Sequence, residues 1–476
     1  MPGILEALRT PSNQAVLVFF VGYVYICAAK RFRVTVLWVG VVLLLLLGVY
    51  QPAADSPYTT SVWNLLCHIN WNVLMILAGA MVVAQFFIQS RVPVLLADLI
   101  VKHLKTVGGA ALGVCALSSF LSAFIDNVTT VLIVAPVALE LARRLKASPV
   151  PFIIGLAISS NLQGTATLIG DPPSLILANG LRLNFLDFFF FQGKPGIFWM
   201  VQLGAVGSML VLWVLFFRKY KAPAEEATPT RVTSWFPTWL LAAMVLALSA
   251  VSQVDIPGGE KFANGTVCVL AALVGIVWHA RSRRRETADG DESSAPAPSG
   301  ATNGFRRTLN TVLKVDFQTV ALLAAIFALT FALSETGFIK AVAEWITSVV
   351  GANRLLTFTL IVWLSVGFSA VIDNIPYTAV MLPTVLRIAS DLERTEGAPP
   401  DIAASPTHIL FAFGLLVGAC LGGNISPVGA SANIVGVGIL RKEGHDVSFW
   451  KFVGMGLPFT IAATLPAYVA LWLLWG

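Results

Sequence analysis

Charge is scarce in this chain. Asp, Glu, Lys and Arg make up only 12% of its 476 residues, and 57% are hydrophobic. Soluble domains carry about 25% charged residues, so this composition excludes an ordinary soluble fold. Paired cysteines are missing too. Cys27, Cys67, Cys115, Cys268 and Cys420 are scattered with no CxxC pair, which leaves neither a disulfide framework nor a zinc site and points to buried thiols. The five histidines are isolated, without metal-ligand spacing. No basic segment precedes the apolar run from Gln14 to Ala29 and no small-residue cleavage site follows it, so it reads as a retained helix rather than a signal peptide.

What the chain does have is apolar length. Mean hydropathy is +0.80, and runs of about 18 or more mostly apolar residues recur, each long enough to cross a bilayer. Spans are expected at 13–29, 34–50, 71–89, 150–180, 195–217, 235–253, 263–280, 318–336, 407–440 and 452–475. Two further stretches, 107–142 and 354–390, are too long for one helix, and each carries an Asp-Asn pair near its middle. They suit re-entrant hairpins, because non-helical backbone at membrane depth is tolerated only where protein or a wet cavity satisfies it.

With the hairpins returning to their own side, the loops sort by charge. The set 30–33, 90–106, 141–149, 218–234, 281–316 and 441–451 holds 23 of the 31 Lys and Arg residues. That set is expected to be cytoplasmic, with both termini on the other side. The net charge of +6 is thereby explained by topology, and no nucleic-acid partner is implied. The one long polar stretch, 281–316, is expected to be a disordered cytoplasmic loop. Trp38, Trp63, Trp71, Trp450 and Trp475 fit interfacial anchoring, and Glu140 and Asp391, late in the hairpins, are expected to face the interface.

The chain also repeats itself. Ser122-Ala123-Phe124-Ile125-Asp126-Asn127 recurs as Ser369-Ala370-Val371-Ile372-Asp373-Asn374, and in each copy a proline follows the Asp by ten residues, at Pro136 and Pro383. Downstream, Gly164–Ser174 aligns without gaps with Gly423–Asn433, placing Thr167 on Ser426 and Gly170 on Gly429. The expected fold is an all-α polytopic membrane protein of two inverted repeats. Each repeat has five spans, one of them broken, and one re-entrant hairpin. The first repeat is 1–220, the cytoplasmic linker 221–234 and the second repeat 235–476. Inverted repeats with discontinuous helices are a recurring build of secondary transporters, whose sites sit where the breaks meet.

The breaks carry the chemistry. An ionised Asp at mid-membrane costs roughly 2.5–3.5 kcal/mol, so Asp126 and Asp373 need a partner or a purpose. Each can cap a half-helix, and each can hold a cation or a proton. Asn127, Asn374, Thr165, Thr167, Ser426 and Ser431 add neutral oxygens suited to sodium or a hydroxylated solute, against the plainer role of helix packing. Asp171, Asn424 and Asn433 complete the candidate binding set. Gly164, Gly170, Pro172 and Pro173 in one copy, and Gly423, Pro427 and Gly429 in the other, are expected to break the helices. The freed helix N-termini can attract anions.

Residues Ser122–Pro136, Gly164–Ser174, Ser369–Pro383 and Gly418–Val435 together resemble the paired signatures of the ion transporter superfamily. They are most similar to the branch holding the arsenical pump membrane protein, the melanosomal P protein and the NhaD-type sodium/proton antiporters, with citrate-transporter-like permeases as relatives. Ser174 departs from the Asn usual after Gly164–Pro173, and Ile425-Ser426-Pro427-Val428 is nearer the arsenical-pump pattern than the P-protein one. The resemblance implies a homodimer in the plasma (inner) membrane, working by an elevator motion. It also implies sodium or proton coupling, with no cofactor and no metal beyond Na+ at Asp126, Asn127, Asp373 and Asn374. Arsenite efflux or sodium/proton exchange is the leading expectation. The alternative is coupled movement of a carboxylate or other oxyanion. A passive channel would not need two broken helices, and an intramembrane aspartyl protease would need Tyr-Asp and Gly-x-Gly-Asp motifs that are absent.

Overall fold

The computed structural model describes residues 11–28, 32–50, 60–104, 106–144, 147–222, 230–253, 262–288, 306, 308–350, 353–395 and 405–476. Among them the chain is helical almost throughout. The first half runs α1 (Pro11–Ala28), α2 (Arg33–Leu46), α3 (Ser61–His68), α4 (Trp71–Gln89), α5 (Val92–His103), α6 (Val107–Ser122), α7 (Asn127–Arg144), α8 (Val150–Gly164), α9 (Pro172–Leu181) and α10 (Ile197–Val211), the last extended by a π-helical turn, Leu212–Phe217. The second runs α11 (Phe236–Val251), α12 (Ala263–Ala288), α13 (Phe317–Glu335), α14 (Phe338–Val350), α15 (Arg354–Ser369), α16 (Asn374–Thr395), α17 (Pro406–Gly422), α18 (Ser431–Lys442) and α19 (Phe449–Trp475). The sheet among the described residues is one two-stranded ribbon, Phe190–Phe191 against Lys194–Pro195. Six helical segments, within α4, α10, α12, α13, α17 and α19 with their extensions, are long and apolar enough to cross a membrane.

The halves repeat in order and in packing. Helix α4 lies along α12, and reciprocally α13 lies along α2. The hairpin α6–α7 packs on α8 as α15–α16 packs on α17, and α10 pairs with α19. Helices α8 and α17 are mostly apolar and buried along almost their whole length, as befits the centre of a bundle. Backbone bonds join Val107 to Ala222 and Thr233 to Ser90, and the Asn70 side chain donates to Asn179 Oδ1.

Several expectations need correction. The loop 90–106 holds α5, and α14 occupies the matching place before the second hairpin. Both are too short for the span criterion, and Pro93 at the start of α5 with Lys102 and His103 at its end are ordinary helix signals. Helix α12 continues through Ala288, so the expected disordered loop begins later. Arginine propagates a helix well, and no Gly or Pro interrupts before Gly290. Residues 289–305 and 223–229 of the expected loop and linker lie outside the described residues. Trp38 packs inward, donating from Nε1 to the Ala321 carbonyl at 3.1 Å, and Trp475 is buried. Neither is an interfacial anchor, whereas Trp63, Trp71 and Trp450 are exposed. His408 contacts Ser405, Ser390 and Glu393, and His279 contacts Thr308 and Gln89.

Candidate functional site

The hairpins turn where the repeated motif stands. Helix α6 ends at Ser122 and α7 begins at Asn127, while α15 ends at Ser369 and α16 begins at Asn374. Asp126 caps α7, its Oδ1 accepting from the Thr129 amide at 3.0 Å. Asp373 caps α16, its Oδ1 accepting from the Ile375 amide at 3.2 Å, and its Oδ2 lies 3.4 Å from the Ser431 hydroxyl. The capping role is thus real, and in Asp373 it leaves the second oxygen facing the break of its own half.

The breaks fall at residues 165–171 and 426–430. Asp171 and Ala430 occupy equivalent places, both extended, at φ −151°, ψ 143° and φ −141°, ψ 146°. An extended residue before Pro172 is what the pyrrolidine ring requires. Gly170 and Gly429 are fixed by close approach. A Cβ on Gly170 would lie 2.5 Å from the Gly164 carbonyl oxygen and 2.9 Å from that of Ser122. One on Gly429 would lie 2.6 Å from the Ser369 oxygen and 2.8 Å from that of Gly423.

A polar network joins these elements. The Asn127 side chain donates to Asn161 Oδ1 at 2.8 Å. Asn161 in turn donates to the Cys420 carbonyl at 2.9 Å and to Asn424 Oδ1 at 3.0 Å. From the other side Asn374 donates to Asp171 Oδ2 at 3.1 Å. All of these residues are buried. The first half-helices, α8 and α17, lie on their own hairpins, whereas α9 packs on α16 and α17, and α18 packs on α7 and α8. Four helix N-termini, those of α7, α9, α16 and α18, meet in this region together with Asp126, Asp171 and Asp373.

The remaining sequence candidates divide in two. Ser426 Oγ accepts from the Val428 and Gly429 amides at 3.2 and 3.1 Å. Asn433 donates to the Gly423 and Ser426 carbonyls, each at 2.9 Å, and the Thr167 hydroxyl donates to the Ala123 carbonyl. These side chains tie the broken backbone together. By contrast, Thr165 Oγ1, Asn424 Nδ2 and Asn433 Oδ1 are buried without a protein partner, as polar atoms around a ligand or water position are. Pro427 lies in the second break. Sequence reasoning missed Asn161, the hub of the network, and Ser160, whose hydroxyl holds the Asn127 carbonyl at 3.0 Å. The signal available was a lone Ser-Asn-Leu-Gln run in an otherwise apolar helix. No group of three or more His, Cys, Asp or Glu side chains suited to a metal ion occurs among the described residues.

Two halves of broken helices and hairpins meeting in a buried polar network define a membrane transporter. Comparison with known proteins is specific on the family. The family model described as "Citrate transporter" (CitMHS) matches residues 23–407, and the chain belongs to that family. It is 32% identical over 417 residues to "Uncharacterized transporter Rv2685" of Mycobacterium tuberculosis, covering 85% of this chain and 86% of that one. It is 26% identical to the human P protein over 404 residues, 73% of this chain but 47% of the P protein. Among solved structures, the Alcanivorax borkumensis YdaH transporter superposes with a TM-score of 0.57 at 14% identity, covering 96% of this chain and 97% of that one. Neisseria gonorrhoeae MtrF, described among antimetabolite efflux pumps, gives 0.50 at 14% identity, covering 92% and 94%. These two likenesses concern the fold.

Proposed function

We propose that the protein is a sodium- or proton-coupled secondary transporter in which cations at the two hairpin tips and a small polar solute share the central site. The observation that carries this reading is the reciprocal crossing of the halves. The Asn127–Asn161–Asn424 chain and the Asn374–Asp171 bond make each break depend on the opposite half, so movement at one tip is felt at the other. Asp126 and Asp373 each lie within electrostatic reach of Asp171, and no Lys or Arg falls within either break. Three carboxylates in such a place call for bound cations or protons, and four helix N-termini favour a solute with negative or strongly polar oxygens.

This chemistry and the family's description favour a carboxylate or other oxyanion as cargo. Arsenite efflux and sodium/proton exchange remain the second reading, supported by the P protein likeness and by a buried neutral donor without a protein partner, Asn424 Nδ2. The halves are read as inverted, the basic loops as cytoplasmic and the termini as non-cytoplasmic, with a dimer in the plasma membrane moving its hairpin domain as an elevator. The test is flux into proteoliposomes under imposed sodium or proton gradients, with citrate, arsenite and sodium offered in turn. Gradient-driven accumulation of citrate supports the first reading, and equal flux with and without gradients contradicts coupling.

A further inference from the structure

Away from the central network, a cavity of about 530 Å³ opens between the starts of α4 and α12 and the end of α9. Its inner wall includes Leu168, in the first break, so it leads toward the central site from the less basic face. Its polar lining is almost entirely amide, from Asn70, Asn72, Asn179, Asn184 and Asn264, with Arg182 as its charge. No carboxylate lines it among the described residues, and none of them forms an ion pair with Arg182.

Three features agree on the sign of a ligand. The Asn70 and Asn72 oxygens accept from the Val73 amide of α4 and the Gly265 amide of α12, at 3.0 and 2.8 Å, so both helix N-termini are capped beside the cavity and only their dipoles favour negative charge there. Arg182 ends α9 in the left-handed conformation of a common helix stop, φ 55°, ψ 39°, and brings a positive charge to the cavity's lining. Asn264 is 7% exposed, and its Oδ1 has no protein partner. Because amide orientation is assigned rather than observed, that end can offer a donor as readily as an acceptor. A planar guanidinium beside several amides matches a carboxylate or similar oxyanion.

Resting on the transport reading above, we propose that this cavity is a capture site for a carboxylate or other oxyanion, at the mouth of the path to the central site, with Arg182 reading its charge. The Asn70–Asn179 bond joins the start of α4 to α9 within the cavity's lining, so an occupant touches both α4 and the half-helix that follows the break.

Cys67 lines the cavity and is exposed, whereas Cys115, Cys268 and Cys420 are buried. In a Cys27→Ser background, purified protein is treated with anionic and with cationic methanethiosulfonate reagents. Rates are normalised to each reagent's reaction with a small free thiol. The anionic reagent is expected to modify Cys67 faster. Arg182→Gln is expected to lower the anion-to-cation ratio roughly five- to tenfold, as removal of one nearby charge would, and Arg182→Lys to keep most of it. Citrate is expected to protect Cys67 in the parent and not in Arg182→Gln. An unchanged ratio in Arg182→Gln, or no protection of the parent by citrate, overturns the proposal. The assay needs no flux. Protection without citrate flux retains the capture site and removes citrate as cargo, while flux without protection does the reverse.

Discussion

Asn374 and Asp171 stand 203 positions apart and meet at 3.1 Å, the amide of one hairpin tip donating to the carboxylate of the other half's break. The bond is buried, and it fixes the start of α9 against the start of α16. Removing one partner of a buried charge-assisted bond leaves the other desolvated, at a cost of about 1–3 kcal/mol. Asn374→Ala is therefore expected to lower detergent-solubilised thermal stability and abolish coupled flux. A double-mutant cycle of Asn374→Ala with Asp171→Asn should show a coupling energy of roughly 0.5–3 kcal/mol. Additive effects would mean that the contact carries no coupling.

Asn161 holds both halves through one side chain, with bonds to Asn127, the Cys420 carbonyl and Asn424. Asn161→Leu keeps the branched shape of the side chain, with somewhat more bulk, and removes all three. It should cost about 2 kcal/mol or more of stability, since several buried polar atoms lose their partners. Transport should fall more steeply than folded yield in size-exclusion profiles. Unchanged flux would place the network outside the transport cycle.

The two breaks are closed by glycines with no room for a methyl group. Gly170→Ala and Gly429→Ala should each cost about 1–3 kcal/mol by overpacking against backbone. Because both positions face hairpin-tip carbonyls, each variant should lose transport at temperatures where it is still folded. Wild-type flux from either one would show that the tip and break separate during the cycle without consequence.

The hairpins predict which side their ends occupy. Arg143, at the end of α7, pairs with Glu443 at 2.5 Å, and Asp391, late in α16, pairs with Arg387 at 3.3 Å. Single cysteines at these two places should react with impermeant reagents from opposite sides, Arg143→Cys from the cytoplasmic one. Same-side labelling would remove the inverted arrangement. The surface pairs themselves are worth about 0.2–1 kcal/mol each, so neither substitution should threaten the fold.

Much of this architecture was legible because each device leaves a strong local mark. A bilayer-length apolar run, an Asp-Asn in an apolar stretch and a Gly-Asp-Pro-Pro break are hard to read otherwise, and the repeat doubled the first two while marking the second break with Gly423, Pro427 and Gly429. Helices α5 and α14 were not legible, since their lengths fall below a span and their neighbours are loops. Asn161 carries no motif of its own, and only the fold brings Cys420 and Asn424 to it. The crossing of α9 and α18 to the opposite hairpins depends on long-range packing, which a pattern of spacings does not encode. Where the cavity beside Arg182 lies follows from that same crossing.

Asp126 and Asp373 are the centre of the coupling claim, and each can be neutralised with little change of shape. The direct measurement is gradient-driven solute flux in proteoliposomes for Asp126→Asn and Asp373→Asn, with folded protein verified by monodisperse elution. Each variant is expected to lose the response to an imposed sodium or proton gradient, even where some exchange persists. Full gradient-driven flux in both variants would contradict the assignment of the hairpin tips as the coupling site.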